Sequence, residues 1–223
     1  MDGGPGKGRW IRLVNAKSIK EKIRFLFYTS IHPFKGFWDC KYEREGSLAV
    51  ANGLVVSLIL SSIIKRQYTE YVFNYARPEE LNVPMEIAAV LIPLLLWCVS
   101  GWLVSTLLDG KGTFRDIYIY SSYALMPVVL GNIVSTLYSQ VSTLDDASLY
   151  NFIGTLTVLW AAGLMLLGTM TVHQYSMRRT LLSILAVALG MALIIFVVLV
   201  FFSVIQQIYG FIYVFSREIL LRM

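Results

Sequence analysis

The chain has 223 residues, 57% of them hydrophobic and 15% charged, with a formal net charge of +5 and a mean hydropathy of +0.64. That balance excludes an ordinary water-soluble domain, and a disulfide between the two cysteines, Cys40 before the first span and Cys98 inside the second, is not expected on geometry, which leaves the redox compartment open. The bilayer is the expected solvent, so the chain is read for stretches of about 20 apolar residues that can carry a helix across it.

The first forty-six residues are broken by charge throughout, and no cleaved leader is expected. After a Gly-rich opening, Ala16, Ile19, Ile23, Leu26 and Phe27 recur at helical spacing among Lys17, Lys20, Lys22 and Arg24. This predicts a basic amphipathic helix that either lies in the headgroup region with its bases on anionic lipid or packs on the protein's own loops. The aromatic motif that follows, with Pro33, Phe34, Phe37, Trp38 and Asp39, is too short to span and is expected at the interface, where such rings are favoured.

Five charge-free intervals predict five membrane-spanning helices, bounded by Glu45 and Lys65, Glu86 and Asp109, Asp116 and Asp145, Asp146 and Arg178, and Arg179 and Arg217. In the first, Ala49, Gly53, Ser57 and Ser61 recur every fourth residue, a stripe of small side chains that admits another helix, either inside the bundle or from a partner. Gly101 with Ser105, and Ala186 with Gly190, repeat that spacing. Asn82, Pro84 and Glu86 predict a capped start for the second span. It should end at Asp109-Gly110-Lys111-Gly112, where the glycines are expected to allow a tight reversal, and Thr113 with Asp116 should cap the third span. Pro127 should kink that span and free carbonyls around Tyr123, which makes Gly112, Arg115, Tyr123 and Pro127 the candidate turn and kink residues. The minimal connection at Asp145 and Asp146 predicts an antiparallel pairing of spans three and four. The fifth interval, with Gln206 and Gln207, suggests a helix that emerges into the far interface and bends there.

Orientation follows from the bases. Ten of the 19 Lys and Arg precede the first span, and Lys111, Arg115, Arg178 and Arg179 fall on the same side. Lys65, Arg66, Arg77, Arg217 and Arg222 fall on the other, so the N-terminus is expected inside and the C-terminus outside.

No Asp, Glu, Lys or Arg falls in the span centres, where such residues mark ion and proton paths. Asn52, Asn132, Gln140, Asn151, His173 and Gln174 are read first as interhelical or interfacial hydrogen-bonding groups. His32, Asp39 and Cys40 are ligand types without a zinc spacing, and no phosphate-cradling glycine loop, dinucleotide fingerprint or metalloprotease motif is present. An enzyme is therefore not expected, nor a cofactor, a metal or a nucleic-acid partner. Cys40 could take a palmitoyl chain beside the first span, although a free thiol is the simpler reading.

Pro33-Phe34-Lys35-Gly36-Phe37-Trp38-Asp39 before a first span, Gly112-Thr113-Phe114-Arg115-Asp116, and Tyr123-Ala124-Leu125-Met126-Pro127 together resemble the Yip-domain family of five-span membrane proteins, over roughly residues 30 to 215. The resemblance implies an all-α five-span bundle with the N-terminus inside. Eukaryotic members carry a long N-terminal region and are associated with Rab-type GTPases and membrane traffic, whereas this short basic region is more similar to prokaryotic members. The expected organisation is a basic N-terminal region over 1–30, a Yip-like membrane domain over 31–216 and a tail over 217–223. The expected role is a non-catalytic scaffold or accessory subunit beside another membrane protein complex, such as a bacterial transporter, in contact with membrane lipids. A small-solute transporter or channel, and a trafficking or lipid-curvature factor, are the alternatives. The expected membrane is the bacterial plasma membrane, with endoplasmic reticulum or Golgi as the alternative.

Overall fold

The computed structural model describes residues 19–70, 73, 81–143 and 146–222; Ala16, Lys17, Arg77 and Asp145 lie outside that description. Among the described residues the architecture is all-α. The helices are α1 (Ile19–Ile31), α2 (Pro33–Tyr42), α3 (Leu48–Tyr68), α4 (Val83–Leu107), α5 (Phe114–Ala124), α6 (Met126–Ser139), α7 (Ala147–His173) and α8 (Met177–Arg222). Five units are long and apolar enough to cross a membrane: α3, α4, α5 with α6, α7 and α8. The face at which α5 begins and α7 ends is called the near face, and the opposite one the far face.

Caps at both faces follow the sequence. The Met85 N–H donates to Asn82 Oδ1 at 3.2 Å with Pro84 in the first turn of α4. Glu86 does more than match the helix dipole, because it pairs with Arg66 at 2.8 Å and ties the end of α3 to the start of α4. Thr113 and Asp116 form a reciprocal capping box at the start of α5.

The third span is interrupted at a single residue, Leu125, two before Pro127. Pro127 has no N–H to offer the Tyr123 carbonyl four residues back. The Leu125 N–H turns to Ser122 O at 3.1 Å, and the Val128 N–H to Leu125 O at 3.0 Å, the tight three-residue pattern that separates α5 from α6. Pro93, by contrast, lies inside α4 without interrupting it.

That broken span is the centre of the molecule. Half of its most apolar stretch is buried, against 28% or less for any other span. Ser121, Ser122 and Ala124 leave room for helices to close around α5, while Ile117, Tyr120 and Tyr123 fill the space between them. Spans α3, α4 and α7 pack on α5, and α8 joins the rim mainly through α4. Here Ser100 Oγ donates to Val187 O at 2.7 Å, and Gly190 sits so close that a Cβ would lie 2.4 Å from that hydroxyl.

The last helix is continuous through its whole length. The helix is not interrupted near Gln206 and Gln207, and α8 runs for 46 residues, about 69 Å at 1.5 Å per residue. Only 6% of its most apolar stretch is buried, and every residue from 195 to 209 is exposed.

Candidate functional site

The N-terminal helix divides its apolar residues between two faces. Leu26, Thr29 and Ser30 turn inward, whereas Ile23, Phe27 and Ile31 face outward. Ser30 Oγ contacts Met126 Sδ at 3.1 Å. Met126 lies twelve residues past Phe114, about 18 Å into the third span at 1.5 Å per residue. Thus α1 does not keep to the near surface; it reaches along the bundle to the α5–α6 break.

The chain then doubles back. Tyr28 stacks on His32 with ring centroids 4.8 Å apart, Pro33 occupies the first turn of α2, and Gly36 meets Thr29 so closely that a Cβ would stand 2.6 Å from its Cα. Only glycine permits that crossing. Phe37 is fully buried, edge-on to Tyr120 at 6.4 Å and beside Gly168, while Phe34 and Trp38 are exposed. The aromatic motif is therefore one anchor with two outward rings, on the returning arm of a helical hairpin. Lys20 and Arg24 are exposed and Lys22 half-buried, so these bases remain on the outer side of α1.

At the near face the hairpin meets a clamp. Lys41 Nζ donates to the carbonyls of Lys111 and Val172, joining α2 to the α4–α5 turn and to the end of α7, where a cation is favoured. Gly112 N–H donates to His173 Nδ1 at 3.3 Å, so that nitrogen carries no proton. The His173 ring stacks on Tyr175 at 5.2 Å and stands edge-on to Tyr120 at 6.5 Å. Lys111 bonds Gln174, and Arg179 bonds the Leu108 carbonyl.

The turn itself departs from expectation in one respect. The left-handed residue is Asp109, at φ 53°, and among the described residues no glycine has positive φ. Gly110 and Gly112 are needed for closeness: a Cβ on Gly110 would lie 2.5 Å from the Tyr175 hydroxyl, and one on Gly112 2.5 Å from His173 Cε1. Arg115 points outward. Tyr123 is buried and its hydroxyl accepts the Ser47 N–H at 3.3 Å, fixing the start of α3 against the third span.

Burial lowers the basicity of Lys41, and Asp116 partly offsets it. Burial pushes the Cys40 thiol far above the usual range, with Asp39, Glu45 and Asp116 adding to the shift. Cys40 and Cys98 are both free and buried. His32, Asp39 and Cys40 are not gathered, and among the described residues no cluster of three His, Cys, Asp or Glu could hold a metal. The clamp joins four segments: α2, the α4–α5 turn, the end of α7 and the start of α8.

The small residues fall into two sets. Ser61, Gly101 and Ser105 are buried in the bundle, whereas Ala49, Gly53 and Ser57 are exposed on the outside of α3. A Cβ on Gly53 would meet nothing within 4 Å, and Ser57 satisfies its hydroxyl on the Gly53 carbonyl at 2.8 Å.

With this geometry in view, comparison with known proteins returns the family described as the Yip1 domain, matched over residues 27–215. The chain belongs to the Yip1 domain family. No curated protein and no solved structure matches it. The Yip1 match begins inside α1 at Phe27, so the hairpin tip, the aromatic motif, the clamp and all five spans fall within it. Lys41, Tyr120 and Tyr175 are the clamp residues that sequence reasoning missed. For Lys41 the only signal was a base at the end of a short helix, and its partners lie 70 and 131 residues away.

Proposed function

We propose that this Yip1 domain protein is a non-catalytic membrane scaffold or accessory subunit that packs beside another integral membrane protein, with its N-terminus in the cytoplasm of a bacterial cell. The observation that carries the reading is the far part of α8, an apolar helix that no other described residue covers from 195 to 209. The candidate span of α8 has 37 residues, about 56 Å at 1.5 Å per residue, against a hydrocarbon core of about 30 Å, so lipid alone does not cover all of that apolar surface. The outward stripe of Ala49, Gly53 and Ser57 supports it, because side chains that small let a partner helix come close. The transporter reading draws less support: Asn52 holds Tyr118, Gln140 holds the Tyr68 carbonyl, and Asn132 holds Ser61 and Ser62.

A photocrosslinking residue placed at Ile208 or Gly53 in native membranes tests the proposal, with buried Leu164 as the control. Discrete adducts with a second protein are expected at the first two positions. Adducts with lipid alone at both would end the scaffold reading.

A further inference from the structure

A cleft of about 430 Å³ opens at the far face between α3, α6 and α7. Lys65 enters it from the last turn of α3, Ser135 from α6, and Tyr150 and Asn151 from the first turns of α7. Lys65 is half-buried, yet among the described residues no carboxylate pairs with it. Its Nζ lies 3.4 Å from Asn132 Oδ1 and 6.0 Å from the centre of the Tyr150 ring. The neighbouring charges are engaged elsewhere: Arg66 with Glu86, and Asp146 as acceptor from Thr143. An ammonium taken partly out of water calls for an anion.

The other polar groups match that need. Ser135 is 1% exposed and its hydroxyl has no hydrogen-bond partner among the described residues, an arrangement folded proteins rarely leave empty. Asn151 is exposed on the same wall and makes no side-chain hydrogen bond among the described residues. Ammonium, hydroxyl and amide are three donors, and a phosphate diester offers acceptors only. Deeper along α7 the cleft continues as exposed Val158 and Leu159, an apolar path for an acyl chain. A Cβ on Gly154 would meet nothing within 4 Å, so the floor between these two parts is open.

We propose that this cleft binds the headgroup phosphate of an anionic phospholipid, held by Lys65, Ser135 and Asn151 with the acyl chain along Val158 and Leu159. The site is independent of any protein partner on α8.

The test is native mass spectrometry of the delipidated full chain in neutral detergent, titrated with phosphatidylglycerol, phosphatidylcholine or inorganic phosphate. Phosphatidylglycerol is expected to bind about tenfold more tightly than phosphatidylcholine, because both offer the phosphate oxygens but the choline cation would also stand against the Lys65 ammonium. Lys65→Gln should abolish the preference and Lys65→Arg should keep it. Gly154→Leu, whose side chain enters open space, should block the lipid without unfolding the bundle and carries the test if Lys65→Gln does not fold. Equal binding of the two lipids, or a preference that survives both Lys65→Gln and Gly154→Leu, overturns the proposal. Displacement of the lipid by equimolar inorganic phosphate would assign the site to a soluble anion and overturn it as a lipid site.

Discussion

Gly112→Ala is the sharpest test of the near-face clamp. The new methyl would lie 2.5 Å from His173 Cε1, 3.0 Å from Nε2 and 3.1 Å from Nδ1, so it meets the edge of a ring and not the end of a flexible chain. The ring cannot swing aside freely, because Tyr175 lies on one face and Tyr120 stands against it. Overpacking of this kind costs about 1–3 kcal/mol. If the turn moves back to relieve it, the Gly112 N–H bond to Nδ1 is lost, at about 1 kcal/mol more. The expected loss is therefore about 2–4 kcal/mol, read from reversible unfolding in mixed detergent. Gly154→Ala is the internal control: its Cβ meets nothing, so the change should be neutral or stabilise by about 0.5–1 kcal/mol, as when Ala replaces Gly inside a helix. In a His173→Ala background Gly112→Ala should cost markedly less. A Gly112→Ala protein as stable as the parent, or an equal cost with and without His173, would refute the clamp.

Further expectations concern separate features. Lys41→Gln, which leaves the Lys111 and Val172 carbonyls short of a cationic donor, should destabilise by about 1–3 kcal/mol in the same unfolding assay. Thr113→Ala removes the capping box of α5 and should cost about 1 kcal/mol there. Buried Cys40 and Cys98 should resist a membrane-permeant maleimide in the folded protein and react when detergent unfolds it, as intact-mass measurement would record. A cysteine at exposed Arg115 should label only from the cytoplasm and one at exposed Gln140 only from outside; the reverse pattern would overturn the proposed orientation.

Legibility in the sequence tracked the range of the interaction. The spans were readable because a bilayer demands about 20 apolar residues wherever the chain goes, and the caps at Asn82 and Thr113 because both partners lie within three residues. The break at Pro127 was half readable: loss of one donor is local, but separation into α5 and α6 depends on Leu125 turning to Ser122. The α1–α2 hairpin was not. Ile23, Leu26 and Phe27 form one apolar stripe on paper, and only contact with Met126 decides that the Leu26 side turns inward. The small residues of α3 posed the same problem, since spacing places Gly53 and Ser61 on one stripe while the third span buries only Ser61. The clamp and the Lys65 cleft each join helices far apart in the chain, and a single sequence carries no record of such pairings.

The unequal lengths of the spans bear on sorting. Helix α3, with 21 residues, is about 32 Å long and matches a hydrocarbon core of about 30 Å. The candidate span of α8, with 37 residues, would be about 56 Å, more than any bilayer thickness or ordinary tilt absorbs. Hydrophobic mismatch on α8 is thus present in every membrane, and lengthening that helix further adds the same cost in all of them. The shorter spans set which thickness the protein prefers, and lengthening α3 should redistribute it between membranes where lengthening α8 would not.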